Sequence, residues 1–179
     1  MSRTSHIAIA LAFLLGLAGP AAAELKPGDA APDFTAPAYL AGEPFDFDLA
    51  KARADGPVVV YFFPAANTPG CNIEAHLFSE AIDAFKTHDT TVIGVTAGNL
   101  DQLAEFSSNT ETCSGRFAVA ADTDASIARS YDALLALKPE WSSRTSYLVS
   151  GDGRILAVHS DMSPDGHVKA MLDAAATAP

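Results

Sequence analysis

The chain has 179 residues, 49% of them hydrophobic and 18% charged, with 22 acidic against 11 basic side chains and a formal net charge of −11. That length and composition suit one folded domain with a real core and exclude a disordered chain. The acidic balance argues against nucleic acid or an anionic lipid surface as the main partner, because both recruit clusters of Lys and Arg.

Residues 1–23 read as a signal peptide and are set apart from the fold. Arg3 supplies a positive start, residues 7–17 form an uncharged apolar run, and Gly19-Pro20 breaks it before Ala21-Ala22-Ala23. A bilayer needs about 20 apolar residues, more than this run offers. The expectation is cleavage before Glu24 and export, to the periplasm if the source is bacterial. The mature domain, residues 24–179, should be free of the membrane.

Residues 33–49 alternate around Gly42-Glu43-Pro44 as a short hairpin would. Residues 58–63 are apolar on both faces and predict a buried central strand ended by Pro64. Residues 71–86 have helical spacing, with Ile73, Leu77, Phe78, Ala81, Ile82 and Phe85 as the apolar stripe. A second buried strand follows at 91–96, a helix at 100–106 and a short strand at 117–121. Residues 126–137 read as mostly helical, stopped by Pro139. Strands at 145–150 and 155–159 flank the turn Gly151-Asp152-Gly153. A terminal helix is expected over 164–176, with Pro164 at its start. Together these predict an α/β thioredoxin fold: a central mixed sheet flanked by helices, extended by an N-terminal β-hairpin.

Two cysteines, Cys71 and Cys113, lie in the mature chain. In an oxidising compartment the plain reading is a structural staple. Cys71, however, falls where a buried strand hands over to a helix. Unpaired N–H groups and the helix dipole at such a start favour a negative charge, so Cys71 is a candidate reactive thiolate. Thr68 sits where a helix N-cap belongs.

The run Tyr61-Phe62-Phe63-Pro64, followed by Asn67-Thr68-Pro69-Gly70-Cys71 and Glu74, resembles the active-site signature of the peroxiredoxins, AhpC/TSA-type redoxins. Among them it is most similar to the peroxiredoxin Q, or bacterioferritin comigratory, branch. Gly28, Ala31-Pro32-Asp33-Phe34 and Arg144 extend the resemblance over nearly the whole mature chain. It implies a thiol peroxidase that reduces H2O2 and organic hydroperoxides without metal or organic cofactor. Cys71 would attack the peroxide and become a sulfenic acid. Arg144 would stabilise thiolate and leaving oxygen, Thr68 would align the peroxide, Pro64 would limit water, and Glu74 would orient the arginine.

Many members of that branch carry a resolving cysteine five residues beyond the first, where this chain has His76. The resemblance therefore leaves Cys113 to resolve, within a polar segment expected to be a movable loop. A thioredoxin-like dithiol donor would then reduce the disulfide, and the protein would be a monomer or weak dimer. Two other readings stay open: a binding module with a structural Cys71–Cys113 disulfide, and a thiol-disulfide oxidoreductase. The second lacks its Cys-x-x-Cys, since positions 68 and 74 are Thr68 and Glu74. A copper-delivery protein of related fold lacks its second cysteine, since position 75 is Ala75. His76 pairs with Cys71 in no plausible metal set. His88, His159 and His167 read as surface residues, and Trp141 as packing near the pocket rim.

Overall fold

A computed structural model describes residues 24–178, so the signal-peptide reading of residues 1–23 lies outside the described residues. The chain enters a hairpin of β1 (Thr35–Leu40) and β2 (Glu43–Asp48). Pairing of Leu40 with Glu43 leaves Ala41-Gly42 as the turn, both with positive φ, as a type I′ hairpin requires. Glu43-Pro44 thus already belongs to β2, where an edge position tolerates the missing proline N–H. A short helix α1 (Leu49–Ala52), capped by the Asp48 carboxylate, then leads on.

The apolar run becomes β3 (Val58–Phe62), buried throughout. It is followed by α2 (Pro69–Lys86), β4 (Thr91–Thr96), a 3-10 turn at Leu100–Gln102, α3 (Leu103–Ser108) and β5 (Ala118–Ala121). Farther on lie α4 (Ser126–Ser130), β6 (Leu134–Leu135), β7 (Lys138–Ser142), β8 (Thr145–Val149), β9 (Ile155–Ser160) and α5 (His167–Ala175). Seven strands form one sheet in the order β2-β1-β5-β4-β3-β8-β9. β3, β4 and β5 run parallel, while β1, β8 and β9 pair antiparallel with their neighbours. This is the expected mixed sheet with its hairpin extension.

Alternation along β3 feeds two cores. Val59 and Tyr61 pack beneath α2, α3 and α5, with Phe78, Phe85, Phe106 and Met171. Val58, Val60 and Phe62 face the other side, against Phe47, Ala128, Tyr131 and Tyr147. Aromatic stacking ties α2 to the sheet, Tyr61 lying 4.4 Å from Phe78 and 5.4 Å from Phe63 between ring centroids. Among the described residues no helix is long and apolar enough to cross a membrane.

Three expectations need correction. The helix expected over 126–137 stops at Ser130, because Asp132 turns left-handed and a Schellman-type pair closes the end: Ala133 N–H to Ala128 O at 2.8 Å and Asp132 N–H to Arg129 O at 3.2 Å. The remainder forms the two-stranded β6–β7 ribbon, and Pro139 lies within β7 rather than stopping a helix. Pro164 precedes α5 instead of opening it, with Gly166 at φ 95° making the entry. On α2 the buried stripe is rotated from the expected one: Ile73 is 50% exposed, whereas Cys71 and Glu74 are buried.

Candidate active site

The carboxyl end of β3, the place where open α/β sheets gather their ligands, opens into the segment 63–68 before α2. Pro64 is buried, and its carbonyl accepts the Thr96 hydroxyl at 3.1 Å. The same Thr96 oxygen accepts the Gly98 N–H at 3.1 Å, and Asn99 Nδ2 donates to Ala66 O at 2.8 Å. Gly98 is needed for this approach, since a Cβ there would stand 2.4 Å from the Pro64 carbonyl oxygen. The loop before Cys71 is thus pinned to the end of β4.

Thr68 occupies the N-cap position of α2 in extended geometry, but its side chain makes no cap bond. Its Oγ1 donates to Ala65 O at 3.0 Å, which commits the hydroxyl hydrogen and leaves both oxygen lone pairs to accept from a ligand. Pro69 sits in the first turn, where its missing N–H costs nothing. Cys71 follows, 1% exposed.

Arg144, just before β8, reaches Cys71 from the strand paired beside β3. Its Nη2 lies 3.5 Å from Cys71 Sγ and can donate to it. The guanidinium is held from two further directions: Nε donates to Met162 O at 3.1 Å, and Nη1 donates to Glu74 Oε2. Both partners of that ion pair are buried. Gly70 makes room, since a Cβ there would stand 3.0 Å from Nη2. A planar cation clamped at three nitrogens and aimed at a thiol suits stabilisation of a thiolate and of negative charge developing beside it.

Glu74 is fully buried, and burial, working against the pull of Arg144, raises its carboxyl to about 8. Its Oε1 has no hydrogen-bond partner and lies 3.6 Å from Nδ1 of His167, which is also fully buried. The surface position that the sequence suggests for His167 is corrected by the structure, which buries it completely. Ser146 Oγ and the Asp161 carbonyl hold its two ring nitrogens, and His159 meets it edge-on with ring centroids 4.5 Å apart. His159 itself is only partly buried. The available sequence signal was Glu74 at a core position of an amphipathic helix, where a charged side chain demands partners. Nothing in the sequence named His167 as one of them.

The fold therefore brings Cys71, Glu74 and Arg144 into direct contact, and sets Pro64 and Thr68 in the loop leading to them. Cys113 is placed differently from expectation. Its segment is polar, yet Thr112 and Cys113 turn inward while Glu111 faces solvent. Thr112 Oγ1 donates to Phe106 O and, at 3.1 Å, to Asn109 O, fastening the segment to the end of α3. Cys113 is completely buried in the same cluster as Cys71, both are free thiols, and burial pushes the Cys113 thiol well up. His76 and His88 are half-buried and stand apart from these contacts. Trp141 lies on β7, with Lys138 Nζ 3.0 Å from its ring centroid. Among the described residues no group of three or more His, Cys, Asp or Glu is placed to hold a metal ion.

A thioredoxin-type sheet presenting a buried cysteine at a helix start, under a clamped arginine, defines a thiol-chemistry protein. Comparison with known proteins narrows the class. The AhpC/TSA family model matches residues 27–158. A Mycobacterium tuberculosis protein assigned as a peroxiredoxin is 30% identical over 149 residues, covering 80% of this chain and 90% of that protein. Peroxiredoxin Bcp of Escherichia coli is 26% identical over 154 residues, covering 83% and 94%. The crystal structure of peroxidoxin BcpB from M. tuberculosis superposes with a TM-score of 0.75 at 25% identity, covering 85% of this chain and 97% of that one. M. tuberculosis AhpC shares the fold, with a TM-score of 0.71 at 20% identity over 86% and 93%.

The chain belongs to the AhpC/TSA family, within its Bcp, or peroxiredoxin Q, branch, and is a thiol-dependent peroxidase.

Proposed function

We propose that Cys71 is the peroxide-attacking thiolate and that the reaction runs through Thr68, Arg144 and Pro64 around it. The observation that carries this reading is the 3.5 Å approach of buried Arg144 Nη2 to Cys71 Sγ. The thiolate attacks one peroxide oxygen, the O–O bond breaks, and the distal oxygen leaves as water or alcohol after taking a proton. Sulfur is oxidised to the sulfenic acid and the peroxide is reduced. Arg144 stabilises the departing oxygen. The Thr68 oxygen, its own hydrogen committed to Ala65, accepts from the peroxide O–H and aligns the bond. Buried Pro64 keeps water from the sulfenic acid.

Cys113 is the resolving thiol in this reading. It shares a buried cluster with Cys71, so the end of α3 and the segment after it must open before the sulfurs meet. Release of Thr112 from Phe106 and Asn109 would free that segment and relieve the burial that holds Cys113 as a thiol. A thioredoxin-like dithiol then restores both cysteines by exchange. The apolar run and small-residue site in residues 1–23 support export as a further part of the proposal. The donor would then be an exported dithiol protein.

Stopped-flow fluorescence of Trp141 with H2O2, combined with mass spectrometry, tests these roles. Cys71→Ser should lose peroxide consumption by at least about 10³-fold, the scale lost when a nucleophile is removed. Cys113→Ser should still consume one peroxide and accumulate a trappable sulfenic acid. Undiminished consumption by Cys71→Ser would sink the assignment. Disulfide formation between two protein chains in Cys113→Ser, at the wild-type rate, would remove Cys113 from the resolving role.

A further inference from the structure

Behind Arg144 the hydrogen-bond count does not close. Nε2 of His167 lies 3.0 Å from the Asp161 carbonyl oxygen. A carbonyl only accepts, so Nε2 carries a hydrogen. In the neutral ring Nδ1 is then an acceptor, and the Ser146 hydroxyl 2.9 Å away donates to it. Glu74 Oε1, 3.6 Å from the same Nδ1, has no donor at all. An ionised Glu74 would therefore oppose lone pair to lone pair in a pocket without solvent, which is costly.

One added proton removes the conflict. On Oε1 it points toward Nδ1; on Nδ1 it points between Oε1 and the Ser146 oxygen. We propose that His167 is a positioning residue of the peroxide site, sharing with Glu74 one buried proton that leaves the charge of Arg144 free to act on Cys71. The inference rests on the roles proposed above for Cys71 and Arg144. With the proton, the trio Arg144, Glu74 and His167 carries one net positive charge; without it, Glu74 neutralises the arginine.

The surroundings favour the carboxyl as the proton's seat. Burial raises Glu74 to about 8. Burial lowers His167 to about 4, against the opposing hydrogen bond to Asp161 O, and the neighbouring His159 and Arg144 lower it further. Beyond the guanidinium lies the Cys71 sulfur, and the buried, unpartnered hydroxyl of Tyr61 on β3 feels the charge of Glu74. The tether matters too. Asp161 and Met162 belong to one loop, so the residue that fixes the His167 ring adjoins the carbonyl that holds Arg144 Nε.

The test is the pH profile of the reaction between reduced full-length protein and H2O2, followed by stopped flow. The wild-type rate should fall about tenfold as pH rises through the window near 8 in which Glu74 ionises. Glu74→Gln should show no such fall. His167→Gln keeps an amide N–H for Asp161 O but loses Nδ1, and its fall should move about one pH unit lower. Identical midpoints in wild type and His167→Gln, or a fall persisting in Glu74→Gln, would overturn the proposal. Infrared spectroscopy of the wild type provides a measurement independent of how the variants fold: a protonated-carboxyl stretch should be present at neutral pH and vanish through the same window. Absence at neutral pH of both this stretch and the ring bands of a doubly protonated imidazole overturns the shared proton. Failure of the wild type to consume peroxide would instead strike the roles of Cys71 and Arg144, and the infrared band would still decide the proton.

Discussion

Arg144 works as a fork rather than as a charge. Nε is bound to Met162 O, Nη1 to Glu74 and Nη2 to Cys71, so three directions are fixed at once. Lysine carries the same charge on a flexible stem and reproduces only one of these contacts. Arg144→Lys should therefore slow the reaction with H2O2 by about 10²-fold, as removal of one preorganised donor does. Stopped-flow rates of the reduced protein check this, and a rate within a factor of two of wild type would mean that charge alone suffices. The sequence offered Cys71 and Thr68 through one short motif and Arg144 through a separate position before β8, and the fold brings Arg144 onto Cys71. Glu74 was legible as a partner of the arginine but not as a buried acid. His167 was invisible, because its contact with Glu74 depends on how α5 packs against α2, and no local pattern records that. Cys113 misled for a related reason: polar neighbours suggested exposure, while the turn that buries it is set by hydrogen bonds back to α3.

At the scale of elements, the end of β4 matters as much as the helix that bears the cysteine. Thr96, Gly98 and Asn99 together hold the carbonyls of Pro64 and Ala66. Gly98→Ala would force a Cβ to within 2.7 Å of the Ala65 Cβ as well as onto the Pro64 carbonyl. The loop must then shift, at about 1–3 kcal/mol for overpacking. Tm should fall by roughly 2–4 °C per kcal/mol in a chain of this size, and peroxide turnover should fall with it. A variant with normal Tm and normal rate would show the β4 clamp to be dispensable. Buried strands were readable here because an unbroken apolar run reports burial directly: β3 and β4 match their sequence patterns closely, and α2 matches in extent though not in the face it buries. The β6–β7 ribbon was not. Residues 131–137 carry apolar spacing compatible with a helix, and only the left-handed Asp132, held by tertiary anchoring of Tyr131 to Pro32 O at 2.7 Å, ends it. The rotation of the α2 stripe has the same origin, since a buried ion pair replaces an apolar contact at Glu74.

For the molecule as a whole, the Glu74–His167 corner ties stability to pH in both directions. An unfolded glutamate titrates near 4.3, whereas folding raises Glu74 to about 8. Its contribution is therefore complete below the unfolded value and is lost as pH rises through the folded one. An unfolded histidine titrates near 6.5, whereas folding lowers His167 to about 4. Its contribution is complete above 6.5 and is lost as pH falls through 4. Replacing Glu74 by Gln removes the first dependence while keeping an oxygen for Arg144. The stability of Glu74→Gln relative to wild type should accordingly rise from mildly acidic pH to about pH 8, reaching a gain on the order of 2 kcal/mol. Urea midpoints measured across that range would show it. A constant difference at every pH would mean that Glu74 is ionised throughout and that the buried corner holds no proton. The peroxide rate and the fold would then respond to pH independently; with the shared proton, both change in the one window that Glu74 sets.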